Sequence, residues 1–306
     1  MTEVHWIAQA ATDLEQADET AQANGTAQAV SRTLIFGDTQ AALEQHLITR
    51  LHQNGASAFR VVAGQAYQFD AAAQWASVEP GNSAQLERLL ADLAGAGLSC
   101  ERIAYLWSLN APSLTQSNAA ALSAQASYGT YPLISLAQAL LANNSKARLV
   151  VATRNAQAVQ QDDLAQPLAA AIWGVGRVLW YQELIDNHGT LVDLGSSGNP
   201  AEDAQQIIFE LSAQGETEVA WRQGQRHYCR LRPAQNLTRP LPLRLRADGS
   251  YLVTGALGAL GRLVCRTLIK RGARRLILMG RSRLPERNHW QHLDPSSPQG
   301  QQVAFI

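Results

Sequence analysis

Three glycines carry the clearest chemical signal in the chain. Gly255, Gly258 and Gly261 lie in YLVTGALGALGRLVCRTLIKRG with the spacing T-G-x-x-G-x-x-G. Glycine lets a backbone turn tightly and removes the Cβ that would hold a phosphate away. A helix that begins there offers free N–H groups and the positive end of its dipole to an anion. Such spacing means little without its context. Here it follows the strand-like run SYLVT, opens the helical run RLVCRTLIKRG and leads to a second strand-like run, RLILMG. That order suits the diphosphate of a dinucleotide, and Gly261 would let helix and strand pack closely.

Arg281 stands 20 residues after Gly261, beside Ser282 in GRS. An acidic residue in this place binds the ribose hydroxyls of NAD. A guanidinium pairs instead with a 2′-phosphate in a bidentate way, and serine adds a hydroxyl donor. The expected NADPH-binding residues are therefore Thr254, Gly255, Leu257, Gly258, Ala259, Leu260, Gly261, Arg281 and Ser282. Arg283 and Arg287 lie close by, so a solvated arginine in a basic loop is the competing reading of Arg281.

Other chemistry finds little support. Cys100, Cys229 and Cys265 are far apart and fit neither a disulfide framework nor a zinc site. None of the seven histidines has a partner four residues away, so no metal is expected. GSSG at 195–198 is a turn, because a nucleophile elbow needs G-x-S-x-G. Gly174 and Gly176 in WGVGR are read as close helix packing, with Arg177 and Glu183 pairing or capping locally. The tryptophans sit among apolar neighbours and are read as packing residues. A formal net charge of +0 gives no reason to expect nucleic acid or an anionic membrane. MTEVHWIAQA lacks a secretion signal, no apolar run reaches spanning length, and a cytoplasmic setting is expected. The sequons at Asn24, Asn143 and Asn236 are then chance matches.

The elements that would position the glycine turn come late in the chain. The 306 residues, 46% hydrophobic, suffice for two domains. VHWIA reads as a short strand followed by a polar stretch to residue 30. From residue 33, strand and helix patterns alternate. TLIFGD is a strand, and AALEQHLITRLHQNG a helix with Leu43, Leu47, Ile48 and Leu51 on one face and Gly55 as its stop. SAFRVVAG and RIAYLWSLN (102–110) are strands. A helical stretch covers about 117–142, kinked or restarted at Tyr131-Pro132. RLVVAT and GTLVDL are strands, and PLAAAIWGVGRVLWYQEL and DAQQIIFELSAQG are helices. EVAWRQGQRHYCRLRP is a hairpin turning at Gln223-Gly224. This alternation implies a parallel sheet covered on both faces. The Pro- and Arg-rich stretch that follows reads as a connection, and the pattern restarts at Ser250.

TGALGALG and GRS resemble the cofactor half of the ketoreductase domain of type I modular polyketide synthases, in the short-chain dehydrogenase/reductase superfamily. The resemblance covers nearly the whole chain. It implies an α/β fold: a Rossmann-like doubly wound parallel sheet, then the first βαβ of a second Rossmann subdomain. Residues 1–232 would be the structural subdomain, which binds no cofactor, 233–248 a linker, and 249–306 the start of the NADPH-binding catalytic subdomain. AAIWGVGRVLWYQEL with GTLVDLG is similar to the family's late structural helix and strand, and the hairpin to its hand-over segment. In TLIFGDTQAAL a single glycine, Gly37, precedes Asp38, an acid that would cap the helix and repel phosphate. Ala256 replaces a glycine usual in the family, which is tolerable at negative φ.

The resemblance implies NADPH-dependent reduction of a β-ketoacyl thioester, bound to an acyl carrier protein, to the β-hydroxyacyl thioester. The carrier and other synthase domains would be partners. The family's Tyr, Lys, Ser and Asn lie downstream of the second cofactor strand. Here the last tyrosine is Tyr251 and the last lysine Lys270. No catalytic residue carries over, and the final QQVAFI is expected to be a third strand of a truncated subdomain. The chain alone is expected to be inactive, and a catalytically inactive scaffold fragment of the synthase is the alternative function.

Overall fold

The computed structural model describes residues 2–9, 31–37, 41–110, 123, 126–234, 245–281 and 283–306. The chain divides into two compact units, Thr2–Pro233 and Ala234–Ile306.

The first unit is a ten-stranded sheet. Its strands are β1 (Thr2–Ala8), β2 (Arg32–Phe36), β3 (Ser57–Ala63), β4 (Gln68–Asp70), β5 (Trp75–Val78), β6 (Arg102–Tyr105), β7 (Arg148–Arg154), β8 (Thr190–Leu194), β9 (Glu218–Arg222) and β10 (Gln225–Pro233). Seven run parallel in the order β5-β3-β2-β6-β7-β8-β9. The winding direction reverses between β2 and β6, the mark of a doubly wound α/β fold. At one edge β4 pairs antiparallel with β5. At the other, the hairpin β9–β10 is extended by β1, whose Thr2 lies opposite Pro233.

Five α-helices cover the sheet: α1 (Ala41–Gln53), α2 (Ser83–Gly95), α3 (Tyr131–Ala142), α4 (Pro167–Val178) and α5 (Pro200–Ser212). Their starts are chemically marked. Asn82 accepts from the Gln85 N–H, Asn199 accepts from Ala201 and Glu202, and Pro167 and Pro200 occupy early positions that need no N–H donor. Because side chains alternate along a strand, the sheet feeds two apolar layers. Leu34, Phe36, Ile103, Tyr105, Leu149 and Val151 pack beneath α2, α3 and α4. Ile35, Ala104, Val150, Ala152 and Val192 pack beneath α1 and α5.

The helical reading of 117–142 is divided. Residues 111–122 lie outside the described residues, and a π-helical turn (Ala126–Thr130) leads into α3 with Pro132 in its first turn. Gly176 is a close-packing glycine, since a Cβ there would meet Leu191 Cδ2 at 2.4 Å. Nothing lies near a Cβ at Gly174, so its glycine is not explained by packing. Arg177 pairs with Glu218 of β9 at 2.9 and 2.8 Å, not with Glu183. The fold brings together two side chains 41 residues apart in sequence.

The second unit holds β11 (Ser250–Thr254), α6 (Ala259–Lys270), parallel β12 (Arg275–Met279) and α7 (Pro298–Phe305). Val253, Ala256 and Cys265 form its small core, with Leu268, Leu276, Leu278 and Phe305 packed against it. The expected third strand at QQVAFI is a helix. Ser297 caps its start by accepting from the Gly300 N–H at 3.0 Å, and Pro298 sets its first turn. These start signals outweigh the apolar character of Val303, Ala304 and Phe305. Among the described residues, no helix is long and apolar enough to cross a membrane.

Candidate cofactor-binding site

β11 ends at Thr254, and the chain turns at once through Gly255 at φ +63°. This left-handed conformation suits glycine. The turn closes through the Gly258 N–H donating to the Gly255 carbonyl at 3.0 Å. Gly258 is then the N-cap of α6, extended at φ −75° and ψ 167°, with no side-chain capping bond. The first intrahelical bond runs from Arg262 N–H to Gly258 O at 3.0 Å. The N–H groups of the first turn, from Ala259 onward, precede the helical ladder and so suit an anion.

Gly261 fixes how closely α6 approaches the turn. A Cβ there would lie 2.2 Å from the Gly255 carbonyl oxygen and 2.7 Å from the Ala256 Cα. Both neighbours are backbone, so the position is closed to any side chain. Ala256 is not among the residues with positive φ, and its methyl is fully buried beside Val253 and Cys265. The alanine at this position therefore fits without strain. Leu257 is half-buried, while Thr254, Gly258, Ala259 and Leu260 are exposed, Leu260 to 74%.

Arg262 adds a cation that the glycine spacing did not reveal. Its Nε donates to the Leu257 carbonyl at 2.9 Å, which folds the side chain back onto the turn. Its guanidinium also lies 5.7 Å from the Phe305 ring centroid. A basic residue directly after the third glycine was the available sequence signal.

Parallel register sets Thr254 opposite Met279. Arg281 leaves β12 through Gly280, so it stands at the same C-terminal strand edge as the glycine turn, and it is exposed. In open α/β sheets this edge is where ligands bind. Ser282 lies outside the described residues. Arg283 is exposed, and Arg287 lies 5.6 Å over the Trp290 ring.

The corresponding turn of the first unit has different chemistry. Gly37 ends β2, and a Cβ there would lie 3.5 Å from Glu44 Oε2. Glu44 is 2% exposed and is gripped by Arg60, whose Nη2 donates to Oε2 at 3.1 Å and whose Nε donates to Oε1. A buried carboxylate, paired with Arg60, thus stands beside Gly37 where β2 ends. Asp38, expected to cap the helix and repel phosphate, lies outside the described residues. No group of three or more His, Cys, Asp or Glu able to hold a metal occurs among the described residues.

Residues 249–306 match the KR domain family, and residues 31–207 match the family described as beta-ketoacyl synthase-like, N-terminal. The chain is 37% identical over 153 residues to one component of the phenolphthiocerol/phthiocerol polyketide synthase of Mycobacterium tuberculosis. That alignment covers 48% of this chain and 10% of the Mycobacterium protein. It is 37% identical over 133 residues to 5-methyl-1-naphthoate synthase of Streptomyces sahachiroi, covering 41% of this chain and 7% of that protein. The chain thus corresponds to a small part of these curated relatives. Among solved structures, the first ketoreductase of the tylosin polyketide synthase is 25% identical, with a TM-score of 0.60, over 90% of this chain and 50% of that one. A C2-type ketoreductase from a modular polyketide synthase shares the fold at 22% identity and a TM-score of 0.61, over 99% of this chain and 57% of that one. A keto acid-selecting NRPS module with adenylation, ketoreductase and pseudo-Asub domains shares it at 19% identity and a TM-score of 0.76, over 99% of this chain and 24% of that one.

Proposed function

Because this chain belongs to the ketoreductase region of type I polyketide synthases, we propose that it serves NADPH-dependent reduction of a β-ketoacyl thioester to a β-hydroxyacyl thioester. The substrate would be held on an acyl carrier protein, and the other domains of the synthase would be the partners. The observation that carries the cofactor assignment is the turn Gly255–Gly261. Its helix start has no side-chain cap, and Gly261 admits no Cβ.

In this reading the N–H groups at the start of α6 hold the diphosphate. Arg262, tied to the Leu257 carbonyl, adds positive charge beside them. Arg281, at the same strand edge, selects the 2′-phosphate of NADPH over the bare ribose of NADH. Thr254, Leu257, Ala259 and Leu260 line the turn, and Ser282 adds a hydroxyl. Bound NADPH supplies a hydride to the ketone carbon. Ketone reduction also needs a positioned proton donor, and we assign no residue of the 306 to that role. The first unit is read as structural, without a nucleotide of its own, and the buried Glu44 carboxylate beside Gly37 supports the second part of that reading.

The test is cofactor selection in a synthase module that carries this region. Arg281→Asp exchanges a cation for an anion beside a 2′-phosphate. A lost charge-assisted bond of about 1.5–3 kcal/mol should lower the NADPH:NADH ratio of kcat/KM by about tenfold or more. An unchanged ratio would make Arg281 a solvated loop charge and withdraw the NADPH assignment.

A further inference from the structure

A second polar site opens at the other edge of the first unit's sheet, where the parallel strands begin. Arg102 and Arg148 are the first residues of β6 and β7, and they are direct partners in that parallel pair. Neighbouring strands lie about 4.8 Å apart, and like charges placed opposite one another oppose pairing. Both side chains fall on the face that carries α1 and α5, because Ile103 and Leu149, the next residues, enter the opposite layer. Among the described residues, neither arginine has a carboxylate within salt-bridge distance.

The nearby acids are engaged elsewhere or exposed. Glu210 is gripped by Arg226 at 2.7 and 2.8 Å and accepts from Trp221 Nε1 at 2.9 Å. Asp186 holds Lys146 at 2.8 Å on the rim. Glu101 is exposed at the mouth. Arg148 donates through Nη2 to Thr190 Oγ1 at 2.7 Å and through Nε to the Glu210 carbonyl at 3.4 Å, while Arg102 has no side-chain partner among the described residues. Burial holds the Arg148 pKa below its usual value. The Glu210 charge opposes that shift, and the charges of Arg102 and Arg226 add to it.

Both arginines line a cavity of about 620 Å³, with Lys146, His188, Ser212, Gln214 and the acids Glu101 and Asp186. His188 sits there in a left-handed conformation, φ +46°. That conformation is the C-cap of the short 3-10 turn Ile185–Asn187. Paired cationic forks with hydroxyl and amide donors around them match the oxygens of a phosphate. The volume is in the range of small-molecule sites.

We propose that this cavity binds a phosphate-bearing small molecule, with its phosphate between Arg102 and Arg148. The site is separate from the glycine turn and stands whether or not that turn binds NADPH.

Backbone amide shifts of the 306-residue chain, followed at constant ionic strength, test it with two probes, orthophosphate and 5′-AMP. Saturable shifts at Asn187, His188 and Gly215 are expected, whatever happens at Gly255 and Gly258. Tighter binding of 5′-AMP identifies a ligand with an organic body, and equal binding identifies the free ion. Arg102→Gln should weaken cavity binding by about tenfold or more, while Arg102→Lys, which keeps the charge but loses the fork, should fall between the original chain and Arg102→Gln. Thermal melting of each variant establishes that it is folded. Cavity amides that stay still with both probes, or shifts undiminished in a folded Arg102→Gln chain, would overturn the proposal.

Discussion

Replacing Gly261 by alanine should open the second unit while leaving the first untouched. The added methyl would sit 2.2 Å from the Gly255 carbonyl oxygen, where real Cβ contacts essentially never fall below 3.0 Å. The turn and α6 must therefore separate by about 0.8 Å. Neither side yields easily. Gly255 is held at φ +63° with its carbonyl already accepting from Gly258, and the second contact, the Ala256 Cα, is also backbone. Overpacking of a tight core costs about 1–3 kcal/mol, and a clash with backbone on both sides belongs at the top of that range. About 3 kcal/mol raises the local opening constant more than a hundredfold. Hydrogen exchange reads this directly. The amides of Val253 and Leu278 should exchange faster by about that factor, while those of Val150 and Val192 in the first unit keep their rates. Protection of Val253 and Leu278 within about threefold of the original chain would refute the reasoning, because it would mean the turn accommodates a side chain.

The first unit offers two further tests. Glu210→Ala removes the carboxylate that Arg226 grips in a site where both side chains are almost fully buried. Leaving Arg226 uncompensated should cost about 3–5 kcal/mol in urea unfolding, and Glu210→Gln should cost less. Asp163 is the site of a pH effect. Burial raises its pKa, but Arg222 and the N–H groups of Val159 and Gln160 outweigh that and hold it below the usual carboxylate value. Its contribution is thus present above the unfolded-state pKa of about 3.9 and fades as pH falls through the depressed folded value. The Tm difference between the original chain and Asp163→Asn should be positive at pH 7 and should shrink below about pH 4; a constant difference would remove Asp163 from the acid response.

Much of the fold is legible because local pattern and burial coincide. Leu43, Leu47 and Leu51 have helical spacing and all face one layer. RLVVAT and GTLVDL are short and rich in Leu and Val, as strands buried on both faces tend to be. Sheet order is not a local property, so nothing near β1 reveals that it pairs with β10, more than 200 residues away. The short strands β4 and β5 leave little period to detect. The helix α2 did carry a signal in Asn82 and the spacing of Leu86, Leu89 and Leu93. At QQVAFI apolar content was misleading, because Ser297 and Pro298 decide the conformation from outside the apolar run. At the candidate site the glycine positions are legible because backbone approach demands them. Arg262 was harder to read, since its effect depends on a side chain folding back to Leu257.

The pairing of Thr2 with Pro233 has a mechanical consequence. The polypeptide enters and leaves the first unit at one corner of its sheet, on adjacent antiparallel strands. Tension applied between these two points would load the β1–β10 ladder one rung at a time, beginning at Thr2–Pro233 and moving toward Ala8–His227. Such a ladder unzips at low force, whereas strands pulled along their length must break many bonds together. The seven parallel strands bear no load until β1 has peeled away. β1 would thus act as a releasable seam of the first unit.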